Sequence, residues 1–215
     1  MTINLTICAD VVDIQNDTPR PSDVLLVDTN VWLWQTYGLP PEPDRNRARR
    51  DEQKLRVYTR YLNAALVCGV RLKYCGLILA EIAHIIERSE FEIFKRSNKI
   101  EALKPKEYRH NYPHVHALVA GIVWNAWNQI TMLASSADLT IDEKLANTVA
   151  DHFQEIALDG YDLFFLQAIR NTGVKPVQVL TDDMDYASVP GIQLFTSNRL
   201  VIKQARDQGR LLSSR

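Results

Sequence analysis

The sequence predicts an α/β fold built on a mainly parallel central sheet, and three observations predict it. Val24-Leu25-Leu26-Val27 is a continuous apolar run bounded by turn residues, the pattern of a strand buried on both faces. Strand-like segments then alternate with helical ones, the order that winds a parallel sheet. Acidic residues follow two of those strands directly, at the edge where open parallel sheets bind ligands.

Each element has its own warrant. Residues 3–14 are rich in β-branched types and begin with period-two alternation, so they read as a strand, ended by Asn16, Asp17, Pro19, Pro21 and Ser22. After Val27, Val31, Trp32 and Trp34 begin a helical pattern, which Pro40, Pro41 and Pro43 break into a loop. Residues 46–68 are helix-compatible, basic first and apolar later. Residues 70–75 alternate as a strand, Gly76 punctuates, and apolar spacing over residues 77–88 predicts an amphipathic helix.

Residues 97–113 are polar and basic with two prolines and read as a loop or lid. Helical patterns follow at 115–133 and 141–156, the second opened by a cap at Thr140 or Asp142. A third, 161–169, stops at Asn171-Thr172-Gly173. Residues 177–180 and 192–195 are strands separated by the turn Val189-Pro190-Gly191, and a helix over 199–208 follows. The expected organisation is one domain spanning 1–215, with 1–23 an N-terminal strand extension and about 97–137 a loop-plus-helix insertion.

Composition bounds the function. With 46% hydrophobic and 24% charged residues, the chain lies far from the disordered class. Lys and Arg number 25 against 26 Asp and Glu, a formal charge of -1, so no global basic signal marks a nucleic-acid binder. Cys8, Cys68 and Cys75 form no CxxC pair and read as small buried hydrophobes, against a secreted disulfide framework. No apolar run approaches the ~20 residues of a bilayer crossing, and no charged-then-apolar leader is visible. A cytoplasmic protein without a membrane partner is expected. Glycine is rare, and neither GxGxxG nor GxxxxGK[ST] occurs, which argues against dinucleotide and P-loop chemistry.

The acids carry the chemistry. Asp28 ends the first buried strand, Asp182 and Asp183 follow the strand ending in Leu180, and Asp162 lies in the first turn of a helix. Glu81 sits in the helix after the second strand, on an apolar segment where a buried carboxylate needs a compensating cation. Carboxylates converging at one sheet edge raise one another's proton affinity unless a metal lies among them. Oxygen-rich sites suit Mg²⁺ or Mn²⁺, and such ions serve phosphodiester hydrolysis by activating water and holding phosphoryl oxygens. Any one acid alone has a blander reading; Asp28 before Thr29 is also a good helix cap.

In order, Val27-Asp28-Thr29-Asn30-Val31, Leu79-Ala80-Glu81-Ile82, Asp162-Leu-Phe-Phe-Leu-Gln-Ala168 and Val179-Leu-Thr181-Asp182-Asp183-Met-Asp185-Tyr186, followed by Val-Pro-Gly-Ile192, resemble the motifs of PIN-domain nucleases. The resemblance covers about residues 24–196. It implies a PIN-like, Rossmann-like three-layer α/β/α sandwich and metal-dependent endonuclease cleavage of single-stranded RNA. It further implies that Asp28, Glu81, Asp162 and Asp183 are the catalytic and metal-binding acids for Mg²⁺ or Mn²⁺, with Asp159, Asp182 and Asp185 as alternative ligands. Thr181 and Asn30 are supporting residues. Compact VapC-type toxins in that family are shorter: here 53 positions separate Asp28 from Glu81 and 81 separate Glu81 from Asp162. A toxin role with an antitoxin partner, a structure-selective DNase and a silent RNA- or protein-binding module are the other readings.

Charge is unevenly spread. Residues 45–60 hold seven basic and two acidic side chains, 199–215 five and one, and Lys95 to Arg109 add six more basic ones. Arg45, Arg47, Arg49, Arg50 and Lys54 are the candidates for tracking phosphates, with Tyr37, Tyr58 and Tyr61 as base-stacking or core residues. The HxxxHxH pattern at His110, His114 and His116 spans Asn-Tyr-Pro and is a poor zinc frame. Trp124 and Trp127 suit helix packing or the face of a homodimer.

Overall fold

The computed structural model describes residues 3–38, 45–171, 173–213 and 215, with the side chain of Arg47 outside that set. The Pro40, Pro41 and Pro43 loop and Thr172 of the expected helix stop also lie outside it. Six parallel strands form one sheet: β1 (Asp10–Asp13), β2 (Val24–Val27), β3 (Arg71–Cys75), β4 (Ser135–Ala137), β5 (Val177–Leu180) and β6 (Ile192–Thr196). Their order is β1-β6-β5-β2-β3-β4. Eight described α-helices connect and cover them: α1 (Thr29–Thr36), α2 (Arg45–Cys68), α3 (Ile78–Ser97), α4 (Pro105–Asn111), α5 (Pro113–Leu133), α6 (Glu143–Glu155), α7 (Gly160–Asn171) and α8 (Arg199–Asp207).

The pattern of burial follows from strand position. β2 and β5, neighbours in the middle of the sheet, are buried at every residue. From β2 the chain steps outward through β3 to β4, then returns to β5 on the other side of β2 and continues to β6. This reversal makes the gap between β2 and β5 a topological switch point. Helices α1, α3 and α5 pack on one another, and α6 on α7. The crossover from β3 to β4, which carries α3 to α5, and that from β4 back to β5, which carries α6 and α7, run in opposite directions along the sheet; by the right-handed rule for such connections they cover opposite faces, an arrangement compatible with a Rossmann-like sandwich.

Local signals explain the boundaries. α3 buries Ile78, Ile82 and Ile86 at four-residue spacing and runs on to Ser97, past the expected end at residue 88. α2 ends in a Schellman motif: the Val70 N–H donates to Ala65 O and the Gly69 N–H to Leu66 O, with Gly69 at φ 82°. Asp142 is the cap of α6, accepting from the Leu145 N–H at 2.8 Å.

Three expectations are corrected. The strand proposed for residues 3–14 is only Asp10–Asp13. Upstream, side-chain amides of α8 take the backbone instead: Gln204 accepts from the Leu5 N–H and donates to Ile3 O, and Gln208 accepts from the Ile7 N–H and donates to Leu5 O. The loop expected over 97–113 contains α4, because Pro105 and Pro113 stand in the first turns of α4 and α5, where a missing N–H costs nothing. Residues 97–137, expected as a loop and a helix, also deliver β4 to the sheet edge; Ser135-Ser136-Ala137 has no apolar alternation and only its pairing with Lys73 to Cys75 makes it a strand.

A buried ion cluster ties Arg215 to the segment between β1 and β2. Its guanidinium, 6% exposed, donates to Asp17 at 2.6 and 2.9 Å and to Asp23 at 2.8 and 3.1 Å, and lies 4.5 Å from the centroid of the Phe195 ring. Tyr61 adds a 2.5 Å bond to Asp17. Arg215→Ala leaves two poorly compensated carboxylates and is expected to cost about 3 kcal/mol in urea unfolding. Arg215→Lys should recover only part of it, since an ammonium cannot fork to both partners.

Candidate active site

The switch point is occupied by acids. Asp28, 6% exposed, caps α1 directly after β2 and accepts the Thr29 N–H through Oδ1 at 2.6 Å. Its Oδ2 accepts the Thr181 hydroxyl at 2.5 Å and Asn30 Nδ2 at 2.7 Å. Asp28 is therefore both helix cap and centre of the cluster, one oxygen serving each role. Thr181, fully buried after β5, is itself saturated: its hydroxyl donates to Asp28 and accepts from the Asp183 N–H at 2.9 Å and from Asn30 Nδ2 at 3.2 Å.

The remaining acids join from other elements. Glu81, in the first turn of α3, accepts the Thr29 hydroxyl at 2.5 Å. Asp162, in the first turn of α7, accepts the Tyr186 hydroxyl at 2.8 Å, and Tyr186 is wholly buried in the 3₁₀ turn Asp185–Ser188. The fold thus brings Asp28, Glu81, Asp162 and Asp183 together at the carboxyl edge. Burial pushes Asp28 up to about 7, against its hydrogen bond from Thr181 and with help from the charges of Glu81 and Asp183. Burial likewise pushes Asp162 up to about 8, helped by Asp28, Asp159 and Asp183. Glu81 is raised by burial and by Asp159 and Asp183, in spite of the Thr29 bond.

The less certain acids separate clearly. Asp159 accepts the Asp162 N–H at 3.0 Å, as the cap of α7 rather than a neighbour on its face. Asp182 points to α2, where Lys54 Nζ meets it at 2.6 Å and the Tyr58 hydroxyl at 3.0 Å. The chain bends at Asp182 and the Asp183 N–H turns back to the Thr181 hydroxyl, so the charge of Asp183 acts on Asp28 and Asp162 while Asp182 faces α2. Asp185 donates its backbone N–H to Asp183 Oδ1 at 2.9 Å.

The basic and aromatic residues around the centre fall into separate groups. Lys54 is held by Asp182, while Arg45, Arg49 and Arg50 are exposed; Arg47 lies outside the described side chains. Tyr58 and Tyr61 are buried and bonded to Asp182, Thr196 and Asp17, so they are core residues and not stacking platforms. Tyr37 is half-buried and donates to Glu90. Tyr186 and Thr29 are the site residues that sequence reasoning did not single out; both lie inside quoted motifs, but neither carries a charge or a periodic signal. Of the tryptophans, Trp127 packs edge-on against Tyr74, whereas Trp124 is 63% exposed beside the groove between α3 and α5.

Among the described residues no group of three or more aspartate, glutamate, histidine or cysteine side chains stands close enough together to hold a metal ion as placed. The donor set nevertheless has the chemistry of a hard-cation site. Its donors are all oxygens, no described lysine or arginine pairs with Asp28, Glu81, Asp162 or Asp183, and Asn30 Oδ1 is buried without a partner.

Raised carboxyl groups make the metal-free fold sensitive to pH. Asp162 binds its proton more tightly folded, at about 8, than at its ordinary 3.8. Its stabilising effect is therefore complete below about pH 4 and is lost as pH rises toward 8. Urea unfolding in chelator should show wild type weakening between about pH 5 and pH 8 and Asp162→Asn weakening less. No protein-family model, curated protein or solved structure matches this chain.

Proposed function

We propose that this protein is a divalent-metal-dependent nuclease of PIN-like type that hydrolyses phosphodiester bonds of single-stranded RNA. The single observation that carries this reading is the convergence of Asp28, Glu81, Asp162 and Asp183, uncompensated by any described cation, at the switch point of a parallel sheet.

Asp28, Glu81, Asp162 and Asp183 would hold Mg²⁺ or Mn²⁺, which lowers the pKa of water and neutralises charge on a phosphoryl group when bound. The chain's own groups prepare that site. Thr181 fixes one Asp28 oxygen and Asn30 the same one, so the carboxylate cannot rotate. The Thr29 hydroxyl orients Glu81, and Tyr186 orients Asp162 while favouring its ionised form. Lys54 and Tyr58 draw Asp182 away, which keeps a further negative charge out of the centre. No serine, cysteine or histidine nucleophile is needed.

The test is a gel assay of labelled single-stranded RNA and DNA with Mg²⁺, Mn²⁺ or chelator. Asp28→Asn and Asp162→Asn are each expected to lower cleavage at least about 100-fold, the scale of removing a group that acts in the transition state. Cleavage that survives both substitutions would sink the assignment, and metal binding without cleavage would favour a silent binding module. Tyr186→Phe should move the acid limb of the cleavage profile to higher pH, because Asp162 loses the bond that stabilises its charge.

A further inference from the structure

Two basic segments remote in sequence meet at one cavity. It measures about 260 Å³ and is walled by Arg50, Gln53 and Lys54 of α2 and by Ser197, Asn198 and Arg199 at the junction of β6 and α8. No acidic residue lines it among the described residues. Lys54 is neutralised by Asp182, but Arg50 and Arg199 form no ion pair among the described residues. Solvated basic helix faces spread their charges outward; here two guanidinium groups from different elements line one concavity.

Its position relative to the acidic centre follows from the sheet. Leu180 of β5 pairs with Phe195 of β6, so residues 197–199 leave the sheet beside Asp182 and Asp183. Lys54 joins the two places, since its partner Asp182 adjoins Asp183 in the chain. β6 stands two strands from β2, about 10 Å at the usual strand spacing. A stacked strand advances about 3.4 Å along its axis per nucleotide, so a strand crossing that edge spans the gap within about three nucleotides. Paired guanidinium groups with amide and hydroxyl donors match a phosphate, which accepts forked bonds on several oxygens.

We propose that the cavity between α2 and the β6–α8 junction binds a backbone phosphate of the single strand whose scissile linkage lies at the acidic centre. This rests on the nuclease reading above. Arg50 and Arg199 are the ligands for the phosphate, and Gln53 and Ser197 supply neutral donors at its rim.

The test is fluorescence anisotropy of a labelled single-stranded RNA oligonucleotide bound to the full chain in chelator, repeated over a range of KCl concentrations. The double variant Arg50→Ala/Arg199→Ala is expected to bind more weakly. Its plot of log affinity against log salt should be flatter by about 0.7, the value for one phosphate on a single strand. Arg50→Lys/Arg199→Lys should keep the wild-type slope. Arg96→Ala, exposed in the last turn of α3 and outside the cavity lining, should leave slope and affinity unchanged. Equal flattening by Arg96→Ala, or an unchanged slope in the double alanine variant, overturns the proposal. The salt slope needs no catalysis, so its failure is separable from loss of cleavage in the acidic-centre variants.

Discussion

The hydrogen bond from the Thr181 hydroxyl to Asp28 joins the carboxyl ends of β2 and β5 across the switch point, and the arrangement of the acidic centre depends on it. Thr181 also takes the Asp183 N–H, so one buried hydroxyl sets the direction of the chain as it leaves β5 and the orientation of the carboxylate that caps α1. A threonine suits this place because it offers one donor and two acceptor sites and no charge. A further carboxylate would repel Asp28, and an apolar residue would leave that buried oxygen with the Asn30 amide as its remaining side-chain donor.

Charge management explains much of what surrounds that bond. Asp28 and Asp162 sit in burial that raises their proton affinity, with hydroxyl groups of Thr181 and Tyr186 as partial relief and no described cation paired with them. Asp17, Asp23 and Asp182 are acids of the same chain that are fully answered, the first two by Arg215 and the third by Lys54. The contrast separates acids that hold the fold together from acids kept in tension. A structure that can neutralise its carboxylates in two places and leaves them unneutralised in a third carries an incentive there for an added cation.

Several parts of this architecture were legible in the residues. The four-residue apolar run at Val24 marked a central strand, and the isoleucine spacing of α3 marked its buried face. The acids following the strands at Val27 and Leu180 pointed to the carboxyl edge because strand direction and side-chain alternation are local properties. Other parts were not legible. β4 has no hydrophobic pattern and exists through its partner strand, and residues 3–8 read as a strand from their β-branched alternation although the side chains of Gln204 and Gln208 take their backbone instead. Tyr58 and Tyr61 looked available for stacking until α2 was placed over the sheet, where both rings are enclosed.

The sequence by itself determined the α/β class, the positions of the inner strands and the set of acids that could meet, since these follow from periodicities within a few residues. Only the tertiary structure decided how those acids divide. Asp182 and Asp183 are identical and adjacent, and their roles differ because Lys54 and Tyr58 stand on one side of the chain and the buried centre on the other. Likewise the basic residues near 50 and 199 form a single wall only where α2 crosses the end of β6. Charge pairing and desolvation act through space, and the distances that govern them are set by packing between elements far apart in the chain.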